Sequence, residues 1–202
     1  MDIIEQEPGR KRLLDAALEL FRAHGFNRVS VEEITSKIGM SKKTFYKYFA
    51  TKQDIILQIV DHLIATNFPR FEKIVNDPEI DFIEKQKMIV KNVAQMVQII
   101  TKPLIADLQK YLPEIWLEID KRRTVVIREI FGKLFHEGMQ KNYFRKDIDE
   151  EMIITMYISV IRAVMNPEFL TNSRYSAAEA FDKIVDVFMK GILSDEARKT
   201  IM

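Results

Sequence analysis

The chain has 202 residues, 47% apolar and 30% charged, with a formal net charge of +1, which gives material for one sizeable core or two small domains in the ordinary composition of a folded protein. It contains no cysteine, and this excludes a disulfide framework, a thiolate metal site and a cysteine nucleophile. The opening stretch MDIIEQEPGRKR is acidic where a secretory signal is basic, and the longest uncharged apolar run, Met152 to Ile161, is about half of the roughly 20 residues that a bilayer span needs. The expectation is a cytoplasmic protein without a membrane partner.

Helical periodicity runs through almost every segment and no run alternates as a strand does, so the fold class is all-α, with about nine to ten helices. The first helix is expected from Arg10 to His24, with Leu13, Leu14, Ala17, Leu20 and Phe21 on one face and Gly25 as its left-handed C-cap. The second opens at SVEE, where Ser30 and Glu33 have the spacing of a capping box, and Gly39 ends it. Ser41 caps a short third helix from Lys42 to about Phe49, and Thr51 with Asp54 caps a long fourth, which Pro69 should kink or end. A fifth carries Phe82, Ile89, Val93, Met96 and Ile100 and stops before Pro103; a short sixth ends at Pro113, the first residue of a long seventh reaching about Lys141. The eighth spans about Asp149 to Met165 and stops before Pro167, the ninth opens on a second capping box, Ser176 with Glu179, and runs to about Gly191, and a short tail helix follows. No repeat or low-complexity tract interrupts them.

Charge is unevenly placed. Between Arg10 and Lys52 ten Lys and Arg residues face four Asp and Glu, a local net of +6 that leaves −5 for the rest. Within that region GMSKKTFYKYFATK joins lysines, hydroxyls and rings in one short helix. At 100° per residue Phe45 and Phe49 share one face and can anchor it, while Lys43 and Lys47 point almost opposite, flanked by Lys42, Thr44 and Tyr46. Two short helices joined through Gly39, the second with a cationic, hydroxyl-bearing outer face, form a helix-turn-helix that fits a major groove of duplex DNA. Lys52, at the start of the fourth helix, sits where free amides also favour a phosphate.

RKRLLDAALELFRAHGFNRVSVEEITSKIGMSKKTFYKYFATKQDIILQIV resembles, without a gap, the N-terminal DNA-binding domain of the TetR family of one-component transcriptional regulators. HEGMQKNYFRKDID is similar, more weakly, to that family's link between its seventh and eighth helices. The resemblance implies a helix-turn-helix domain over residues 1–50 and a helical effector-binding and dimerisation domain over 51–202. It implies phosphate contacts for Thr44, Tyr46, Lys52 and Ser30, and base contacts for Lys42 and Lys43; Lys47 and Tyr48 complete the candidate DNA-binding set. Three residues depart from the family pattern: Thr35 for a usual Ala, Glu32 for a common basic residue, and Asn142 for a usual Gly. Glu32 beside a phosphate would be repulsive.

The resemblance further implies that helices four to seven enclose an effector pocket and that helices eight and nine form a homodimer interface. The eighth helix is apolar almost all round, so a second apolar side needs another chain. Ile154, Ile158, Ile161 and Met165, with Ala177, Phe181, Ile184 and Phe188 of the ninth helix, are the candidates. His62, Gln86, Asn92, Met96, Tyr111, Trp116 and Tyr157 are the candidate effector contacts, being mostly polar-tipped groups beside apolar stripes. Three scattered histidines and no nucleophile elbow, phosphate loop or dinucleotide fingerprint give no enzymatic constellation, and no cofactor or metal is expected. The expected function is a homodimeric, effector-released repressor on a palindromic operator. The competing reading is a helical small-molecule-binding protein whose N-terminal domain no longer binds DNA.

Overall fold

The computed structural model describes residues 3–201, with side chains from Pro8 to Arg198. Among these the chain is helical: α1 (Ile3–His24), α2 (Val31–Lys37), α3 (Lys42–Tyr48), α4 (Asp54–Asn76), α5 (Phe82–Val97), α6 (Lys102–Tyr111), α7 (Pro113–Gln140), α8 (Glu150–Val164), α9 (Pro167–Asn172), α10 (Ala177–Ile192) and α11 (Asp195–Ile201). The extended contact is one isolated antiparallel bridge, Phe144 with Leu193. No helix among the described residues is long and apolar enough to cross a membrane.

Four boundaries differ from the sequence expectation. The first helix begins at Ile3 rather than Arg10, with Pro8 inside it; a proline this near the start removes only one backbone bond. The fourth continues through Pro69 to Asn76, and the fifth ends at Val97, short of Ile100. Pro167 stops α8 and also opens α9, with Asn166 accepting from the Phe169 amide, so the predicted ninth helix is α10. Proline suits a first helical turn because its missing N–H has no partner there.

The described chain forms two compact units, the first reaching Ala65 and including Thr101–Ile119, the second comprising Thr66–Ile100 and everything from Asp120 onward. In the first, Leu13, Leu14, Phe21, Ile34, Phe45, Phe49 and Ile55 form a core that also takes Leu108 and Leu112. Both predicted caps are present: Ser30 accepts from the Glu33 amide while Glu33 reaches back to the Ser30 amide, and Ser41 accepts from the Thr44 amide. Thr35 is buried at 2% exposure, and its hydroxyl donates to the carbonyls of Val31 and Glu32 at 3.0 and 3.1 Å. The departure from Ala therefore leaves no unsatisfied polar atom.

Gly25 has φ +82°, and a Cβ there would lie 2.6 Å from Asp107 Oδ2. That bare backbone admits α6: Asp107 accepts from the Asn27 amide at 2.7 Å, and Thr101 Oγ1 donates to the Arg22 carbonyl at 2.8 Å. The α1–α2 turn is thus fixed by a helix eighty residues away in sequence.

In the second unit Phe71, Ile74, Val75, Ile89, Ile130 and Leu134 form a core. Lys85, 4% exposed, reaches Glu137 at 2.9 Å, and Lys141 reaches the same carboxylate at 2.7 Å. Burial pulls the Glu137 carboxyl up, but the bonds from Lys141 and Lys85 outweigh it and hold the group below its ordinary value. Asn142 takes φ +59° in the link to α8, a conformation in which Asn substitutes for Gly at low cost.

Candidate nucleic-acid interface

Short helices cannot hold their shape alone, and α3 has seven residues. Its rigidity comes from Phe45 and Phe49, 0% and 1% exposed, their rings 5.1 Å apart. Burying each contributes about 2 to 3 kcal/mol. Gly39 at φ +68° turns the chain between α2 and α3, and the Met40 amide donates to the Thr35 carbonyl at 2.9 Å. The outer face is as the periodicity predicts. Lys42, Lys43, Tyr46 and Lys47 are exposed, and the Tyr46 ring stands edge-on to Phe45 with 5.3 Å between centroids. Thr44 is half-buried, its hydroxyl 2.9 Å from that of Ser41.

Other members of the predicted set are engaged within the protein. Tyr48 is half-buried and packs against the core of the first unit, with its hydroxyl where a Cβ on Gly9 would meet it at 2.8 Å. The Lys52 ammonium donates to the carbonyls of Phe26 and Val29 at 2.9 and 2.8 Å and lies 4.1 Å over the Phe26 ring. Burial pushes its pKa down, against the pull of Asp107 and Glu33. Lys52 therefore clamps the α1–α2 turn, with one ammonium proton left for other acceptors. Ser30 is exposed, but its hydroxyl donates to Glu33 at 2.8 Å. The amide and hydroxyl of Ser30 hold the Glu33 carboxyl below its ordinary value.

Counting charges overstates the positive field for the same reason. Arg10 binds the Gln58 side chain at 2.7 Å, Arg12 the Ile38 carbonyl at 2.8 Å, and Lys37 pairs with Glu19 at 2.9 Å. Lys42 pairs with Glu32 at 2.6 Å. Sequence reading missed that pair: no helical spacing links residues 32 and 42, which only the turn brings together. Lys43 and Lys47 have no acidic partner in ion-pair range among the described residues. They and Tyr46 are the groups this face leaves for an anionic partner.

The candidate effector residues do not converge. Gln86 and Tyr157 line a narrow cleft in the second unit with Val90, Phe131, Leu134, Phe135, Val185 and Met189, its free volume about 10 Å³, room for a single water. Burial pushes the Tyr157 hydroxyl up, and the Gln86 amide donates to Met189 Sδ at 3.2 Å. Asn92 is turned back onto the Met88 carbonyl at 2.7 Å, and Met96 packs on the second unit's core. His62, Tyr111 and Trp116 belong to the first unit. There Trp116 packs on the core and Tyr111 is exposed beneath the Lys110 ammonium. Helical period identifies a face but not which neighbour covers it.

The residues expected at a dimer interface face inward in the single chain. Ile154, Ile158, Ile161, Met165, Ala177, Phe181 and Ile184 are all buried within the single chain, and Phe188 is half-buried against Tyr157. The apolar side of α8 left open is instead Met152, Met156 and Val160, 51%, 46% and 37% exposed, with Val187 of α10 at 70%. An all-round apolar helix has two apolar sides, and its sequence does not say which one the parent chain takes.

Residues 13–59 match the family model for bacterial regulatory proteins of the tetR family. An uncharacterised HTH-type transcriptional regulator of Bacillus subtilis strain 168, YvaF, is 28% identical over 189 residues, covering 92% of this chain and 96% of that protein. The crystal structure of a TetR/AcrR-family regulator from Thermobifida fusca YX-ER1 is similar with a TM-score of 0.60 at 24% identity, covering 90% of this chain and 97% of that one. FadR from Bacillus subtilis in complex with stearoyl-CoA is similar with a TM-score of 0.60 at 17% identity, covering 90% and 98%. Residues 13–59 thus carry the helix-turn-helix segment of the tetR family of bacterial regulatory proteins, and relatives named as transcriptional regulators are similar along nearly the whole length of the chain.

Proposed function

We propose that the protein is a homodimeric, ligand-responsive repressor that occupies a palindromic operator and leaves it when an effector binds. The observation that carries this reading is the division of α3 between buried Phe45 and Phe49 and outward Lys43, Tyr46 and Lys47. A compact helix with two ammonium groups that lack an acidic partner among the described residues, and a phenol beside them, suits a major groove, where phosphate contacts fix register and one or two side chains read base edges. In functional terms residues 1–50 are the reading domain and 51–202 the effector and dimerisation domain. In this reading Lys42 and Lys43 read bases, while Thr44, Tyr46, Lys47 and the remaining proton of Lys52 contact phosphates.

A second copy is expected on the open stripe of Met152, Met156, Val160 and Val187, because an exposed apolar row on α8 and α10 suits a four-helix contact between two chains. The effector class is apolar: six of the eight residues lining the cleft are hydrocarbon, aromatic or thioether, with Gln86 and Tyr157 as polar tips. The similar fold that carries stearoyl-CoA supports this chemistry. At its present volume the cleft must widen to admit such a ligand, and Leu134, which lines it, shares a core with Phe71, Ile74 and Val75 of α4, so the widening would press on that helix. Two heads spaced one DNA turn, about 34 to 36 Å, lose their match to the groove after a displacement of a few Å.

Sequencing the fragments that the purified protein selects from random duplexes tests the reading. A recovered palindrome with half-sites one turn apart, bound with an affinity that drops steeply with ionic strength through counterion release, is the expected result. A protein that retains no duplex at low salt would instead be a small-molecule-binding protein with a vestigial reading head.

A further inference from the structure

The three lysines of α3 are not equivalent. Lys42 Nζ lies 2.6 Å from Glu32 Oε2, both side chains largely exposed, and the contact joins the first turn of α2 to the first turn of α3. Lys43 and Lys47, on the same helix, have no such partner among the described residues. A duplex therefore meets two ammonium groups whose counterions are dissolved salt and one whose counterion is built into the protein.

The consequence depends on what the duplex offers. A phosphate oxygen is anionic, so at Lys42 it must compete with a carboxylate already in place and suffer that carboxylate's repulsion. A guanine edge is neutral, and its O6 and N7 accept hydrogen bonds without adding charge. An ammonium has three protons, so Lys42 can keep Glu32 and still donate to a guanine. The pair thus retains donors for a base while presenting no net charge to the backbone.

We propose that Glu32 is a specificity-determining residue, which through Lys42 disfavours binding to arbitrary DNA and reserves that lysine for a base edge, guanine being the matching acceptor. This rests on the DNA-binding reading above. Every duplex supplies phosphates, so without Glu32 the third lysine would add sequence-independent affinity.

The test compares wild type, Glu32→Gln, Lys42→Met and the double variant on the selected operator and on an unrelated duplex, between about 50 and 200 mM salt. Both side chains lie at the surface, and thermal unfolding confirms that the variants fold. Glu32→Gln should bind the unrelated duplex about fivefold tighter, with a salt slope steeper by about 0.9. The operator should tighten less, so the ratio of the two affinities falls. In the Lys42→Met background the effect of Glu32→Gln should vanish. An unchanged ratio, or a tightening that persists without Lys42, would reduce Glu32 to background charge and overturn the proposal while leaving DNA binding intact. Wild type that binds neither duplex would overturn both.

Discussion

Lys43 and Tyr46 sit one turn apart on the outer face of α3, and they differ in what they can report to DNA. Tyr46 offers a single hydroxyl above a ring braced on Phe45, a geometry suited to a phosphate, which every sequence supplies. Lys43 stands in the first turn of the helix, with its ammonium unpaired among the described residues. Tyr46→Phe should weaken binding to operator and unrelated duplex alike, whereas Lys43→Ala should also flatten the ranking of operator variants, each change costing about 1 to 3 kcal/mol. Titrations against a panel of single-base operator variants would check it, and an intact ranking with Lys43→Ala would remove that residue as a base reader. Glycine 25 shows how much of the head is set from outside it. Its positive φ was legible in the HGF sequence, but the need to leave room for Asp107 was not, because a residue on α6 has no spacing relation to one before α2.

At the scale of elements, α5 and α7 are joined by ions as well as by hydrocarbon. Lys85 is nearly enclosed and Glu137 mostly so, with exposures of 6% and 19% for the two side chains, and Lys141 completes the group. Removing one member of such a pair strands the other away from water. Glu137→Ala should therefore destabilise the protein by about 3 to 5 kcal/mol in urea unfolding. Acid should act on the same contact. The folded-state pKa of Glu137 is lowered from 4.5, so its stabilisation is present above the unfolded value and is lost as pH falls below 4.5 and through the folded value. The Glu33 box at α2, lowered in the same direction, should loosen over the same range. A midpoint that stayed level from neutral pH down through that window would contradict the assignment. The Ser30 and Ser176 boxes were readable because a cap acts over three residues. The Lys85 pair was not, since its partners lie 52 residues apart.

For the whole molecule the proposed assembly falls on α8. Its inward residues Ile154 and Ile158 hold the chain's own second unit, and its outward Met156 and Val160 do not. Charge placed on the two sides should have opposite signatures: Ile158→Glu should unfold the protein, whereas Met156→Glu with Val160→Glu should keep the fold and convert the proposed dimer to monomer. Sedimentation together with circular dichroism separates these outcomes, and a dimer that survives the paired substitution would move the interface elsewhere. The sequence by itself determined what is local: helix after helix, the two capping boxes, the bare turns at Gly25 and Gly39, and the division of α3 into an anchoring and an outward face, because period and caps act within a few residues. Only the tertiary structure decided which side of α8 is inside, which lysines keep their charge free, and that α6 braces the α1–α2 turn. Those outcomes depend on contacts between residues far apart in the chain, and no spacing along the sequence encodes them.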